Sequence, residues 1–252
     1  MNDKTKSDVL LAEQLTYLKL SFMLDHHQEM CKDAGKKDWS HLKLLSKLMD
    51  GETQLRQIRS TDRRIRVARF PVKKTREDFD WSWPKKINRQ QIEHLFHLKF
   101  IEEKANVIFL GGVGLGKSHL SSALGYEACL QGYSVMFTTA IDVINNLSAA
   151  RDASQLKSEL NKYLKPQLII LDELGYLPID KLGADLLFQV ISQRYERGSI
   201  IITSNRAFKQ WPEIFNNDAT LTSALLDRVL HHADVVVLQG KSYRMKEKKK
   251  DM

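Results

Sequence analysis

Residues 111–118 read Gly-Gly-Val-Gly-Leu-Gly-Lys-Ser, a complete G-x-x-x-x-G-K-S loop. An apolar run, Asn106-Val-Ile-Phe-Leu110, precedes it, and a helical pattern opening at His119 follows it. This strand–loop–helix context distinguishes a phosphate loop from an ordinary glycine turn. Glycines let backbone N–H groups close around phosphate oxygens, and the helix N-terminus adds a partial positive charge. Gly111, Gly112, Val113, Gly114, Leu115, Gly116, Lys117, Ser118 and His119 are therefore expected to contact a nucleoside triphosphate. Lys117 is expected to reach the β- and γ-phosphates, and Ser118 to hold Mg²⁺.

The loop also fixes the expected fold. From residue 91 onward, apolar strands at 107–110, 134–138, 168–172, 199–204 and 235–238 alternate with helical patterns. Each strand is apolar at most positions, as strands buried on both faces are. The expectation is an α/β domain over 91–252, with a doubly wound parallel five-stranded sheet and ligands at the strand C-termini. Residues 1–68 read as a small helical domain. Leu11, Leu15, Leu18 and Phe22 form one apolar face, and Asp33-Ala-Gly-Lys-Lys-Asp38 interrupts the pattern. Leu42, Leu45, Leu48, Leu55, Ile58 and Ile65 then resume it. Residues 69–90, with Pro71, Pro84 and the aromatics Phe70, Phe79, Trp81 and Trp83, read as a linker. Those aromatics either pack against the main domain or stack on a base.

The net charge of +8 is localised. Residues 56–76 hold nine basic side chains and one acid, while the remainder of the chain holds 30 of each sign. Arg56, Arg59, Arg63 and Arg66 fall on one helix face, and clustering of this kind suits phosphate neutralisation on nucleic acid. Arg151 and Lys157, between the second and third strands, are the next candidates. No run of 18 apolar residues is present, and the N-terminus has no apolar signal core, so no membrane contact and a cytoplasmic location are expected. Cys31 and Cys129 match no metal spacing. The neighbouring pairs His26-His27 and His231-His232 do not share a helix face, which argues against chelation.

Chemistry is expected at two further strand ends and at three arginines. Asp172 and Glu173 close the third strand; the first suits Mg²⁺ and the second an attacking water. Asn205, after the fourth strand, could contact the γ-phosphate and that water. A cation must also be supplied to the transferring phosphoryl group. Arg228 is the first candidate for supplying it to a neighbouring subunit, and Arg194 the second. Arg244 is a candidate for phosphate contact within the same subunit.

In combination these residues resemble the AAA+ ATPases of the bacterial replication-initiator and helicase-loader clade, and most specifically the IstB-like transposition helpers of insertion sequences. The likeness is carried by Val67-Ala-Arg-Phe-Pro71, Asp78-Phe-Asp80, Phe100-Ile-Glu102, Leu174-Gly-Tyr-Leu-Pro178, Gln193-Arg-Tyr-Glu-Arg-Gly-Ser199, Thr203-Ser-Asn-Arg206 and Ala224-Leu-Leu-Asp-Arg228. The first 66 residues match only in helical character. One departure is Gly112, at a place often held by proline. Only 14 residues follow Leu238, so the resemblance is to members without a C-terminal helical lid. It implies ATP and Mg²⁺, ATP hydrolysis, homo-oligomers on double-stranded DNA bound without regard to sequence, and a transposase of the same element as partner. It further implies Lys117 and Ser118 as nucleotide and metal ligands, Asp172 and Glu173 for metal and water, Asn205 as polar sensor and Arg228 as a finger across subunits. A loader of the replicative helicase shares the same engine. A small-molecule kinase also uses a phosphate loop but leaves the basic segment and the Glu173–Asn205–Arg228 set without a role.

Overall fold

The computed structural model describes residues 3–84 and 86–243. The chain divides into two compact units, residues 1–63 and 64–252.

The first unit holds α1 (Asp3–Tyr17), α2 (Ser21–Lys36) and most of α3 (His41–Ala68). The apolar face expected to run from Leu11 to Phe22 is broken. Lys19 takes φ 56° and turns the chain, and a new helix starts at Ser21. Leu15 is buried while Leu18 is exposed. The new N-terminus has no cap from its own Leu20. Glu52 of α3 supplies one instead: its carboxylate accepts from the backbone N–H of Phe22 at 2.8 Å and of Met23 at 3.4 Å. Unsatisfied N–H groups and the helix dipole both favour a carboxylate there. Arg56 pairs with Glu52 at 3.3 Å, and Arg59 donates to the Ser21 hydroxyl at 2.9 Å. Arg56, Arg59, Arg63 and Arg66 are all exposed, and at 100° per residue they fall within about 80° of one another around α3.

In the second unit, α4 (Arg89–Leu95) and α5 (Lys99–Glu102) lead into β1 (Asn106–Gly111) and α6 (Lys117–Leu130). There follow β2 (Val135–Thr139), α7 (Ala140–Asp152), α8 (Leu156–Leu164), β3 (Leu168–Leu174), α9 (Lys181–Arg194), β4 (Ser199–Ser204), α10 (Trp211–Ile214), α11 (Ala219–Leu230) and β5 (Ala233–Leu238). All five strands run parallel, in the order β2-β3-β4-β1-β5. Alternation within the strands builds two apolar layers. Ile108, Leu110, Ile169, Leu171, Ile200 and Ile202 face α7, α9 and α11. Val107, Phe109, Leu168, Ile170, Ile201 and Val236 face α4, α5 and α6. Near-continuous apolar strands are what a sheet covered on both faces requires.

Residues 69–90, read from sequence as a linker, belong to this second unit. Phe79 is buried in the layer beneath α6, with Phe70 and Trp81 packed beside it. The segment closes on the end of β5 through paired backbone bonds between Lys86 and Gln239, 3.1 and 3.0 Å.

Arg194, the second candidate from sequence for a cation acting between subunits, is a core residue. It is 1% exposed. Its guanidinium donates to the carbonyls of Tyr163, Pro166, Gln167 and Ser199 at 2.8–3.1 Å. Burial pulls its pKa down to about 10, which leaves it charged at neutral pH. The planar fork braces the turns that start β3 and β4, and to serve a neighbour it would have to abandon all four bonds. Lysine cannot reproduce the fork. Arg194→Lys is expected to leave buried carbonyls without donors and to lower stability by roughly 3 kcal/mol, read as a reduced urea midpoint with an unchanged slope.

Candidate active site

The C-terminal edge of the sheet carries a cleft of about 620 Å³. Its floor is the glycine loop between β1 and α6. Gly114 and Gly116 take φ 74° and 90°, in the left-handed region open to glycine. At Gly116 a Cβ would also run into the ring of Phe79, 2.6 Å away, so the missing side chain is what lets the junction segment close over the loop. On the far side, Tyr243 N donates to Gly114 O at 2.8 Å. Phe79, Trp83 and Tyr243 thus line the cleft together with Asp172 and Glu173. Of the junction aromatics, Phe79 and Trp81 pack in the apolar layer, and Phe79 and Trp83 line the cleft.

Lys117 is 5% exposed and folds back on its own loop, donating to Gly111 O at 2.7 Å and Gly112 O at 2.8 Å. Its ammonium is thereby parked against carbonyls that a phosphate would replace. His119 bonds Thr75 O at 3.0 Å through Nε2. A carbonyl only accepts, so Nε2 carries the proton. Burial lowers the pKa of this ring, which keeps it neutral at physiological pH. Thr75 in turn donates twice to Asp78, whose pKa those bonds lower. His119 therefore anchors the junction segment to α6.

Asp172 and Glu173 both line the cleft although they are neighbours on one strand, which ordinary alternation forbids. The structure resolves this with a bulge: the β3–β4 register slips between Leu171 and Leu174, and Glu173 takes φ 62°. Leu171 and Leu174 both reach the same apolar layer, and the extra residue is released toward solvent. A non-glycine residue held in this region costs about 1–3 kcal/mol. Thr203 of β4 holds the bulge in place. Its hydroxyl accepts from Glu173 N at 3.0 Å and donates to Oδ1 of Asp172. Ser118 donates to the same oxygen at 2.9 Å. A hydroxyl and a carboxylate at the loop's end form the hard oxygen set that Mg²⁺ prefers, so Ser118 and Asp172 could hold that ion. Asn205 follows β4 directly. Its Oδ1 is buried and has no hydrogen-bond partner among the described residues, a cost that a bound donor would relieve.

Arg228 is elsewhere. It lies in the last turn of α11, five residues before β5 begins, and so at the N-terminal edge of the sheet. There Asn106, the first residue of β1, bonds Val229 O at 3.0 Å. Six-residue strands at about 3.3 Å per residue put roughly 20 Å between the two edges. Arg228 donates to Ala224 O at 2.8 Å and stacks over Phe188 at 5.1 Å, half-buried in a shallow crevice beside Lys104, Tyr195 and His232. Within one chain it cannot meet the cleft.

A family described as IstB-like ATP binding protein matches residues 13–251. The chain belongs to that family. Its fold is shared with replication initiators and helicase loaders. An ATP-binding protein of insertion sequence IS5376 from Geobacillus stearothermophilus is 39% identical over 232 residues, 92% of each chain. One from IS21 of Pseudomonas aeruginosa is 38% identical over 236 residues, 94% of this chain and 89% of that one. Among solved structures, DnaI is 17% identical with a TM-score of 0.57, covering 69% of this chain and 93% of its own. DnaA from Aquifex aeolicus bound to AMPPCP is 22% identical with a TM-score of 0.57, covering 73% and 57%. The two structures share the fold.

Arg244 lies outside the described residues. Arg151 and Lys157 are exposed on α7 and α8, Arg151 beside Asp152 at 3.4 Å. No helix among the described residues is long and apolar enough to cross a membrane. Thr203 was missed as a site residue, because a threonine in an apolar strand reads as a β-former. Thr203→Val keeps the shape and removes the hydroxyl. The stranded Glu173 N–H costs about 1–3 kcal/mol, so ATP turnover should fall about tenfold or more. Nucleotide affinity should change little, and Thr203→Ser should restore turnover. Equal losses in turnover and binding would show that the hydroxyl only supports the fold.

Proposed function

We propose that this chain is an ATP-hydrolysing, DNA-binding transposition helper, which oligomerises on duplex DNA and recruits or stimulates the transposase of its own insertion sequence. The observation that carries this reading is the separation of parts between the two sheet edges. The cleft has a phosphate loop and two carboxylates, Asn205 with its unsatisfied Oδ1 follows the adjoining strand, and Arg228 stands at the other edge. A stack of identical subunits would bring one chain's Arg228 to the next chain's cleft. The insertion-sequence names of relatives that align over most of this chain support the biological role.

In the proposed reaction, Lys117 exchanges the Gly111 and Gly112 carbonyls for phosphate oxygens. Ser118 and Asp172 would hold Mg²⁺, which would supply positive charge beside the transferring phosphoryl group. Glu173, freed from the strand by its bulge, orients and polarises water. Asn205 offers its amide to the same region from the adjoining strand. Phe79, Trp83 and Tyr243 exclude solvent from the base end. Arg228 of a neighbouring subunit completes the electrostatic surround of the transferring group.

Two variants test the assembly. Lys117→Ala should lose tight ATP binding and keep Arg228. Arg228→Ala should bind ATP as wild type and lose turnover by about 10³-fold or more, the usual effect of a missing finger. An equal mixture should recover part of the activity, since some interfaces pair an intact cleft with an intact arginine. No recovery in proven mixed oligomers would remove Arg228 from a role between subunits.

The DNA reading has its own test. Phosphate contacts carry no base information, so Arg59→Ala with Arg63→Ala should weaken all duplexes alike. The slope of log affinity against log salt should become shallower by roughly two units. Unchanged affinity and slope, with assembly intact, would make the stripe a solvated face. Capture of the element's transposase in preference to a replicative helicase would separate the helper role from helicase loading.

A further inference from the structure

Three side chains outside the cleft converge beside the crevice that holds Arg228. Glu196 sits in the turn between α9 and β4, and His231 and His232 lie between α11 and β5. One ligand atom from each falls within 4.8 Å of the other two. Nε2 of His232 is 4.0 Å from Oε1 of Glu196, and the two imidazole centroids are 4.1 Å apart. Adjacent histidines point apart inside a helix, which is why their sequence spacing argued against chelation. That argument fails here because α11 ends at Leu230. His231 is the helix C-cap and His232 is already in the turn toward β5, so nothing forces their rings to opposite faces.

The geometry points to a site for a divalent transition cation of the zinc type, ligated by His231, His232 and Glu196, with water in the remaining position. Two imidazoles and a carboxylate are a donor set for Zn²⁺ or its neighbours rather than for Mg²⁺, which prefers oxygen alone. With bonds of about 2.0–2.1 Å, tetrahedral ligands stand roughly 3.4 Å apart, so the three groups need only close modestly. All three residues are exposed and their side chains can turn. The Tyr195 hydroxyl is 2.8 Å from Nδ1 of His231, the kind of outer partner that fixes ring orientation and tautomer in metal-binding histidines. A bound cation ties the C-terminal end of α11 to the turn after α9. It thereby holds the backbone three residues beyond Arg228, at the edge of the sheet opposite the nucleotide cleft.

The test uses untagged, full-length, nucleotide-free protein. Zn²⁺ is titrated in competition with a chromogenic chelator, and Co²⁺ is followed by its visible absorption. Wild type should take up one equivalent of Zn²⁺, give a low-coordinate Co²⁺ spectrum, and melt at a higher temperature with Zn²⁺ than without. His231→Ala, His232→Ala and Glu196→Gln should each weaken binding at least tenfold, in line with loss of one ligand of three, and abolish the thermal shift. Glu196→Gln is isosteric and exposed, so its fold is secure if either histidine variant proves unstable. His94→Ala, which breaks a different exposed histidine pair with rings 5.9 Å apart, should change nothing. Absence of a stoichiometric Zn²⁺ site in wild type would overturn the inference, as would retention of that site in Glu196→Gln and both histidine variants.

Discussion

The site depends on one carboxylate oxygen. Oδ1 of Asp172 receives the hydroxyl protons of Ser118, at the start of α6, and of Thr203, on β4. A carboxylate can only accept and a hydroxyl has one proton to give, so the direction of the chain is fixed. Glu173 N donates to Thr203, and Thr203 donates to Asp172. Three elements are thereby locked at the same height on the sheet: the phosphate loop, the third strand and the strand that Asn205 follows. The bulge that frees Glu173 is stable only because this network absorbs its backbone strain. A buried network of this kind is worth having only when every member is satisfied. Metal binding would enter at Ser118 and Asp172, the two members with oxygen to offer.

The opposite edge is built on different chemistry. Arg194 gathers four carbonyls, and Asn106 links Val229 O to Ile200 N at 3.0 Å each. These bonds satisfy turns that no ladder reaches, and they hold α9 to the starts of β3 and β4 and α11 to the starts of β1 and β4. The sheet between the edges is apolar on both faces and close-packed, so it acts as a rigid spacer. Arg228 and the cleft therefore keep a constant separation within one chain. A cation so placed is useless to its own nucleotide and available to another's, which is the physical content of the proposed dependence of turnover on assembly.

Much of this was legible in the residues. The phosphate loop and the five apolar strands mark their own positions, because each depends on local pattern alone. Asp172 and Glu173 were legible as a pair, but the bulge that lets both face one cleft was not, since it depends on a hydroxyl 30 residues away. Arg194 and Arg228 look alike in sequence: each is an arginine near the end of a helix before a strand. Only burial separates them. The helix-face premise for the histidine pair fails for a related reason, because it presumes that the helix continues past Leu230. The expected Leu11-to-Phe22 face failed in the same way when Lys19 ended the first helix. Each miss is a boundary or a long-range bond overriding a local period.

The helical unit shows how a charge stripe can be part structural. Glu52 is buried, and its carboxylate is satisfied by Phe22 N, Met23 N and Arg56. If Arg56 turned to a DNA phosphate, Glu52 would keep its two backbone donors and lose its counter-charge, an expensive exchange for a group with little water around it. Arg59 gives up only a neutral bond to the half-buried Ser21 hydroxyl. The four arginines share a face and a charge, yet their cost of redeployment differs. Any counterion release on DNA would fall first to the members whose present bonds are weakest. Arg59 is thus better suited than Arg56 to the proposed phosphate contact, and Arg56 better suited to holding α2 against α3.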